Sequence, residues 1–144
     1  MAETTFNPNR LSFAECLERI RGAVGEADLS RGAIVTSRDE AAIKAMDALA
    51  IENVPEGFRK WQLPVYLSEP SQLFISVAEP GVKVPEHAHE EGDGIRFIAG
   101  GSITYEGKEL TAGDWMFIPA GQPYSFEVGR VGAIMCYCYC CCCA

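Results

Sequence analysis

Two textures of hydrophobic patterning meet near residue 54. Before it, apolar residues recur at helical spacing. Phe13, Leu17, Ile20 and Val24 fall on one face of a 3.6-residue repeat. In front of them, Ser12-Phe13-Ala14-Glu15 has the form of a capping box, in which the serine and glutamate satisfy orphan amides at a helix start. The pattern predicts an amphipathic helix over residues 13–24. Ser37-Arg38-Asp39-Glu40 has the same form, and Ile43, Met46 and Leu49 follow on one face, which predicts a second short helix to about Ala50. Gly25 and Gly32 punctuate the linker between them. Cys16, beside the first apolar stripe, reads as a small buried hydrophobe.

From Val54 onward, prolines and glycines cut the chain into short pieces. Val65–Leu67 and Gln72–Ala78 read as strands. Glu106-Gly107 between Ser102–Tyr105 and Lys108–Leu110 predicts a hairpin turn. Trp115–Ile118, Tyr124–Val128 and Ala133–Tyr139 complete the set, with no internal repeat. Many short strands at close spacing argue for a mainly β sandwich or barrel. The expected organisation is a helical extension over residues 1–53, a barrel over 54–140 and a terminal tail over 136–144.

Composition narrows the partners. The chain has 144 residues, which fits one domain. Twelve basic against 20 acidic residues give a formal net charge of −8. Such a surface repels a phosphate backbone, so nucleic acid is not an expected partner. No apolar run is long enough for a membrane span. Met1-Ala2-Glu3-Thr4-Thr5 lacks the basic and apolar regions of a secretory signal, so the expected location is cytoplasmic.

The candidate chemistry lies in two places. The chain's two histidines, His87 and His89, are one residue apart. On a strand both imidazoles point the same way, which is the start of a metal site. They sit in a frame: Gly81, five residues, His87-x-His89, then Gly101. A second stretch, Gly113 to Tyr124, has a glycine, five residues, then Pro119-Ala120-Gly121. In that order and spacing the two stretches resemble the paired motifs of the cupin superfamily, over roughly residues 54–140. The resemblance implies a single antiparallel β-barrel of the double-sheet jelly-roll type, preceded here by two short helices. It also implies a metal inside, held by two histidines, a glutamate and a third histidine. His87 and His89 match that pattern. The glutamate position is Gly94 and the third-histidine position is Tyr124, which is expected to face the same pocket. Glu90, Glu91 and Asp93 lie close enough to substitute for the carboxylate, with Glu91 and Asp93 the candidates for an Fe(II) site of two histidines and one carboxylate. Arg96 would hold an anionic group of a small substrate if its strand turns it inward.

The second place is the C-terminus. Six of seven cysteines are Cys136, Cys138, Cys140, Cys141, Cys142 and Cys143. Adjacent cysteines bridge only with strained geometry, and packing gains nothing from four consecutive thiols. Clustered thiolates bind soft metals. If Cys136 and Cys138 face the same interior as the histidines, a mixed nitrogen–sulfur site results, with the later run as a separate cluster.

The first reading is a metal-binding, homo-oligomeric cupin whose histidines, Cys-rich tail or both ligate a transition metal, with Fe, Zn, Cu and Ni all open. Catalysis stays open, with a non-haem Fe(II) dioxygenase-like enzyme as one alternative. Others are a recognition domain whose tail is altered by modifying enzymes, as in precursors of ribosomally made peptides, and an assembly linked through its thiols.

Overall fold

The computed structural model describes residues 7, 10–27, 33–67, 71–90 and 92–139. The chain divides into two compact units. One holds both helices and the segment through Tyr66. The other holds the segment ending at Asp39 and the chain from Leu67. The boundary therefore lies later than residue 54, and a piece of the expected extension belongs with the sheet.

In the first unit, α1 spans Phe13–Ala27 and α2 spans Glu40–Ala48. The box at α1 is reciprocal: the Ser12 amide donates to Glu15 Oε2 at 2.6 Å and the Glu15 amide to Ser12 Oγ at 3.2 Å. Ile20 and Ala23 pack on Ala45 and Leu49 to form a small core, with Val24 and Tyr66 against it. Arg19 fastens the returning chain by donating to Gln62 Oε1 at 2.8 Å and to the Ala50 carbonyl at 3.0 Å.

The second unit is a seven-stranded antiparallel sheet. Its strands are β1 (Val35–Thr36), β2 (Gln72–Ala78), β3 (Lys83–His87), β4 (Gly94–Tyr105), β5 (Lys108–Thr111), β6 (Trp115–Ile118) and β7 (Tyr124–Tyr139). The main order is β1-β6-β4-β7-β2, with β3 on β7 and β5 on β4. Among the described residues the order does not close on itself, so the jelly roll is open between β1 and β2. Val65–Leu67, expected as a strand, has no regular structure. Ser37 does not cap α2. Its hydroxyl accepts from the Trp115 amide at 2.9 Å and donates to Asp114 Oδ1 at 2.9 Å, which ties β1 to β6, and the helix starts later, at Glu40.

The long strands β4 and β7 organise everything else. Each changes partners along its length. The first part of β4 pairs β6 and the far end of β7, whereas its second part pairs β5 and the near end of β7. The register shifts where they cross, at Gly100–Gly101. Gly101 (φ 67°) and Gly132 (φ 81°) both lie in the left-handed region, where a side chain costs about 1–2 kcal/mol. Space matters more than φ here. A Cβ on Gly101 would stand 2.8 Å from the Gly132 carbonyl carbon and 2.9 Å from Ala133 Cα, both backbone. The two chains cross too closely for any side chain.

At the tip of the β4–β5 hairpin, Glu106 (φ 46°) and Gly107 (φ 76°) carry the paired positive φ of a type I′ turn, which matches the twist of the flanking strands. Period two then sorts β4 and β7. Ile98, Ile103, Leu110 and Ile118 are fully buried, each stabilising by on the order of 2 kcal/mol.

Gly101→Ala should lose at least about 2 kcal/mol of stability, because strain and a backbone clash add. Gly107→Ala has similar φ with nothing within 4 Å and should lose only about 1 kcal/mol. Urea denaturation of both variants checks the difference. Equal losses would mean that the crossing is not tight.

Candidate metal and ligand site

The site gathers where β3, β4 and β7 meet. His87 ends β3 opposite Tyr124, the first residue of β7. A register shift between Val84 and His87 re-aims the chain there. His89 lies just beyond the strand, yet the turn of the second glycine–proline stretch holds it: the Gly121 amide donates to the His89 carbonyl at 2.8 Å. The two motifs thus meet in space.

The rings converge. The imidazoles of His87 and His89 lie 5.2 Å apart, edge to face at 87°. Tyr124 packs 4.6 Å from the His87 ring, and its hydroxyl stands 3.5 Å from His89 Nε2. His87 Nδ1 lies 2.8 Å from the Pro85 carbonyl. A carbonyl only accepts, so that nitrogen carries the proton, and in the neutral ring the lone pair is then on Nε2. Burial first, then the neighbouring His87 and the Arg96 charge, hold the His89 imidazole below its ordinary pKa.

Alternation supplies the rest. On β4, Gly94, Arg96 and Ile98 are buried while Phe97 and Ala99 are exposed. On β7, Met135, Tyr137 and Tyr139 are buried. Tyr137 and Tyr139 lie 5.3 and 5.0 Å from the His89 ring. Arg96 is turned inward and is only 8% exposed. Its guanidinium lies 4.9 Å from the centre of the Phe126 ring and 4.3 Å from that of Tyr137. One nitrogen donates to the Tyr124 hydroxyl at 3.1 Å and another meets Met135 Sδ at 3.7 Å. Its Nε–H is buried without an acceptor, and Arg96 makes no ion pair among the described residues.

Several expected ligands are not brought to the histidines. Asp93 spends a carboxylate oxygen on the Ala120 amide at 2.9 Å, at the turn before β7. Cys136 and Cys138 face away. Their strand neighbours Tyr137 and Tyr139 take the inner face, so period two puts the thiols on the outer one, where Cys138 Sγ donates to Ser71 Oγ at 3.3 Å. The mixed nitrogen–sulfur site therefore does not form. Among the described residues no three His, Cys, Asp or Glu side chains group to hold an ion. Glu91 and Cys140, Cys141, Cys142 and Cys143 lie outside the described residues.

No protein-family model matches the chain, and no curated protein matches its sequence. Among solved structures it is similar to KdgF from a Halomonas species, at 18% identity over 52% of this chain and 72% of that one, with a TM-score of 0.45. It is also similar to an RmlC-like cupin from Shewanella frigidimarina, at 22% identity over 48% and 64%, TM-score 0.42. A third is the DMSP lyase DddQ from Ruegeria pomeroyi, at 23% identity over 50% and 39%, TM-score 0.44. These likenesses concern the fold and span about half of this chain. Here the two glycine-framed stretches lie on one antiparallel sheet and meet at His89. That meeting is the arrangement that the resemblance of the two stretches to cupin motifs implies.

Gly94, where that resemblance implies a glutamate, has a physical reason to be glycine. A Cβ there would stand 2.7 Å from Tyr137 Cζ and 2.8 Å from Cε2. The Tyr137 phenol occupies the space a carboxylate would need. Burial, then the neighbouring Tyr124, pushes that phenol far above the ordinary tyrosine range, so it stays protonated. Its hydroxyl is buried with no hydrogen bond of good geometry among the described residues. Sequence reasoning passed over Tyr137 and Tyr139. The available signal was their alternation with Cys136 and Cys138.

In metal-free protein the lowered His89 pKa makes stability depend on pH. Between its folded value and the unfolded value of about 6.5, the unfolded chain binds the proton more tightly. Stability is therefore fully present above about pH 6.5 and falls as pH drops toward the folded value. Urea midpoints from pH 8 to pH 5 in chelator should fall less in His89→Gln than in the parent. Parallel curves would remove His89 as the cause.

Proposed function

We propose that His87 and His89 together bind a late first-row transition metal ion, and that the cupin-like sheet presents it to a small molecule. The observation that carries this reading is the convergence of the two imidazoles, whose ring centres lie 5.2 Å apart. The Pro85 carbonyl holds the proton on His87 Nδ1, and burial disfavours protonation of His89. Metal binding needs neutral imidazole with a free lone pair, and a hydrogen bond on the other nitrogen orients the ring. A bound ion would supply Lewis-acid polarisation of a ligand oxygen.

The two imidazoles fit such an ion as an incomplete set. The carboxylate of a two-histidine, one-carboxylate iron site has no described donor here, because Asp93 is engaged at Ala120 and Tyr137 covers Gly94. This favours a binding site completed by an outside ligand over the dioxygenase-like reading.

A second metal source rests on Cys136 and Cys138. Both are free thiols two residues apart on the outer face of β7, and they would start a soft-metal cluster separate from the histidines. The sources separate by truncation and substitution. A cut must fall after Tyr139, because residues 136–139 pair with β2 and β4.

Cobalt(II) titrated into reduced, chelator-stripped protein and followed by calorimetry checks both. The chain ending at Tyr139 should keep a full equivalent of histidine-bound metal. His87→Ala/His89→Ala should lose it while circular dichroism stays unchanged. Full uptake by that double variant would overturn the histidine reading. Unchanged total uptake after truncation would remove residues 140–143 as ligands.

A further inference from the structure

Arg96 is a cation inside a core with no described carboxylate to answer it. A buried charge without a partner is costly. The Phe126 and Tyr137 rings offset part of that. The two terminal nitrogens are taken by Tyr124 and Met135. The Nε–H is left without an acceptor.

A second unmatched donor lies nearby. The ring of Tyr137 lies against the Arg96 guanidinium, and its buried hydroxyl has only the Tyr124 hydroxyl beside it, without a hydrogen bond of good geometry. The inner face therefore carries two donors, one charged, with no described acceptor for either. On the histidine side of this face, His87, Ala88 and His89 are half-buried.

We propose that this site binds a small planar carboxylate, held at Arg96 Nε–H and the Tyr137 hydroxyl beside the histidine pair. Three features select that class. The unpartnered Nε–H lies in the guanidinium plane, which suits a flat carboxylate. The walls are aromatic (Phe126, Tyr137 and Tyr139), which suits an apolar or aromatic body on the ligand. Only two donors stand unanswered, too few to satisfy a dianionic phosphate. The chain's net charge of −8 repels free anions from its surface, so saturable uptake of one reports a local site. The proposal names the ligand class of the histidine site and rests on the metal reading only for the ligand's second contact, at the ion.

The experiment is calorimetric titration of benzoate into the full chain, once in chelator and once loaded with cobalt(II), with benzamide and inorganic phosphate as comparison ligands. Benzoate should bind saturably in both states and more tightly with metal, while benzamide and phosphate bind at least tenfold more weakly. Tyr137→Phe keeps the ring and removes one donor, and should weaken benzoate about tenfold. Arg96→Lys keeps the charge but loses the planar edge, and should weaken it at least as much. Benzoate binding in chelator alone, with no gain from cobalt, leaves the carboxylate site standing and overturns the metal contact. No saturable benzoate binding in either state, equal binding of benzamide or phosphate, or binding unchanged in both variants overturns the proposal.

Discussion

The backbone crossing at Gly101 and Gly132 is the constraint on which the rest of the sheet depends. β4 and β7 both change partners along their length, their mutual register shifts at the same place, and only glycine permits the approach there. The crossing sets the register on either side of it. On one side it puts Arg96 opposite Tyr137 and Gly94 opposite Tyr139. On the other it leaves the start of β7 free to pair with β3, which brings Tyr124 opposite His87. A one-residue slip at the crossing would invert both faces of β7 and exchange the tyrosines for the cysteines.

That dependence explains which features were legible in the sequence. Local chemistry was readable where the partners lie within four residues. The Ser12–Glu15 box and the Glu106-Gly107 turn are of this kind, since each satisfies its own backbone groups. The convergence of His87 and His89 was readable for the same reason. The Ser37–Glu40 box misled because Ser37 has a stronger use elsewhere: Asp114 and Trp115 lie far along the chain, and no local pattern reports them. β7 was split at Gly129–Gly132 because glycines usually end strands, whereas here they bend one.

The orientation of β7 was half legible. Alternation separates Cys136 and Cys138 from Tyr137 and Tyr139, but period two does not say which pair faces inward. The pairing with β4 decides it, because Arg96 and Tyr137 are register partners and Arg96 is buried. The bulkier, flatter tyrosines fill the core, and the thiols share the outer face with Leu73, Ile75 and Phe97, their partners across the sheet.

The electrostatics of the inner face follow from one exchange. A glutamate at residue 94 would have placed a carboxylate on the same face of β4 as Arg96, two positions away, and the pair would have neutralised each other. Glycine there gives its volume to the Tyr137 phenol, which is neutral and stays protonated. The exchange keeps the packing and removes the negative charge. His89 feels the result, since the Arg96 charge helps to keep its imidazole neutral. A neutral imidazole is the form that binds a metal, and an unanswered guanidinium is the form that binds an anion. This exchange of volume for charge thus suits both halves of the proposed site, and among the described residues neither half contains a negative group to complete it.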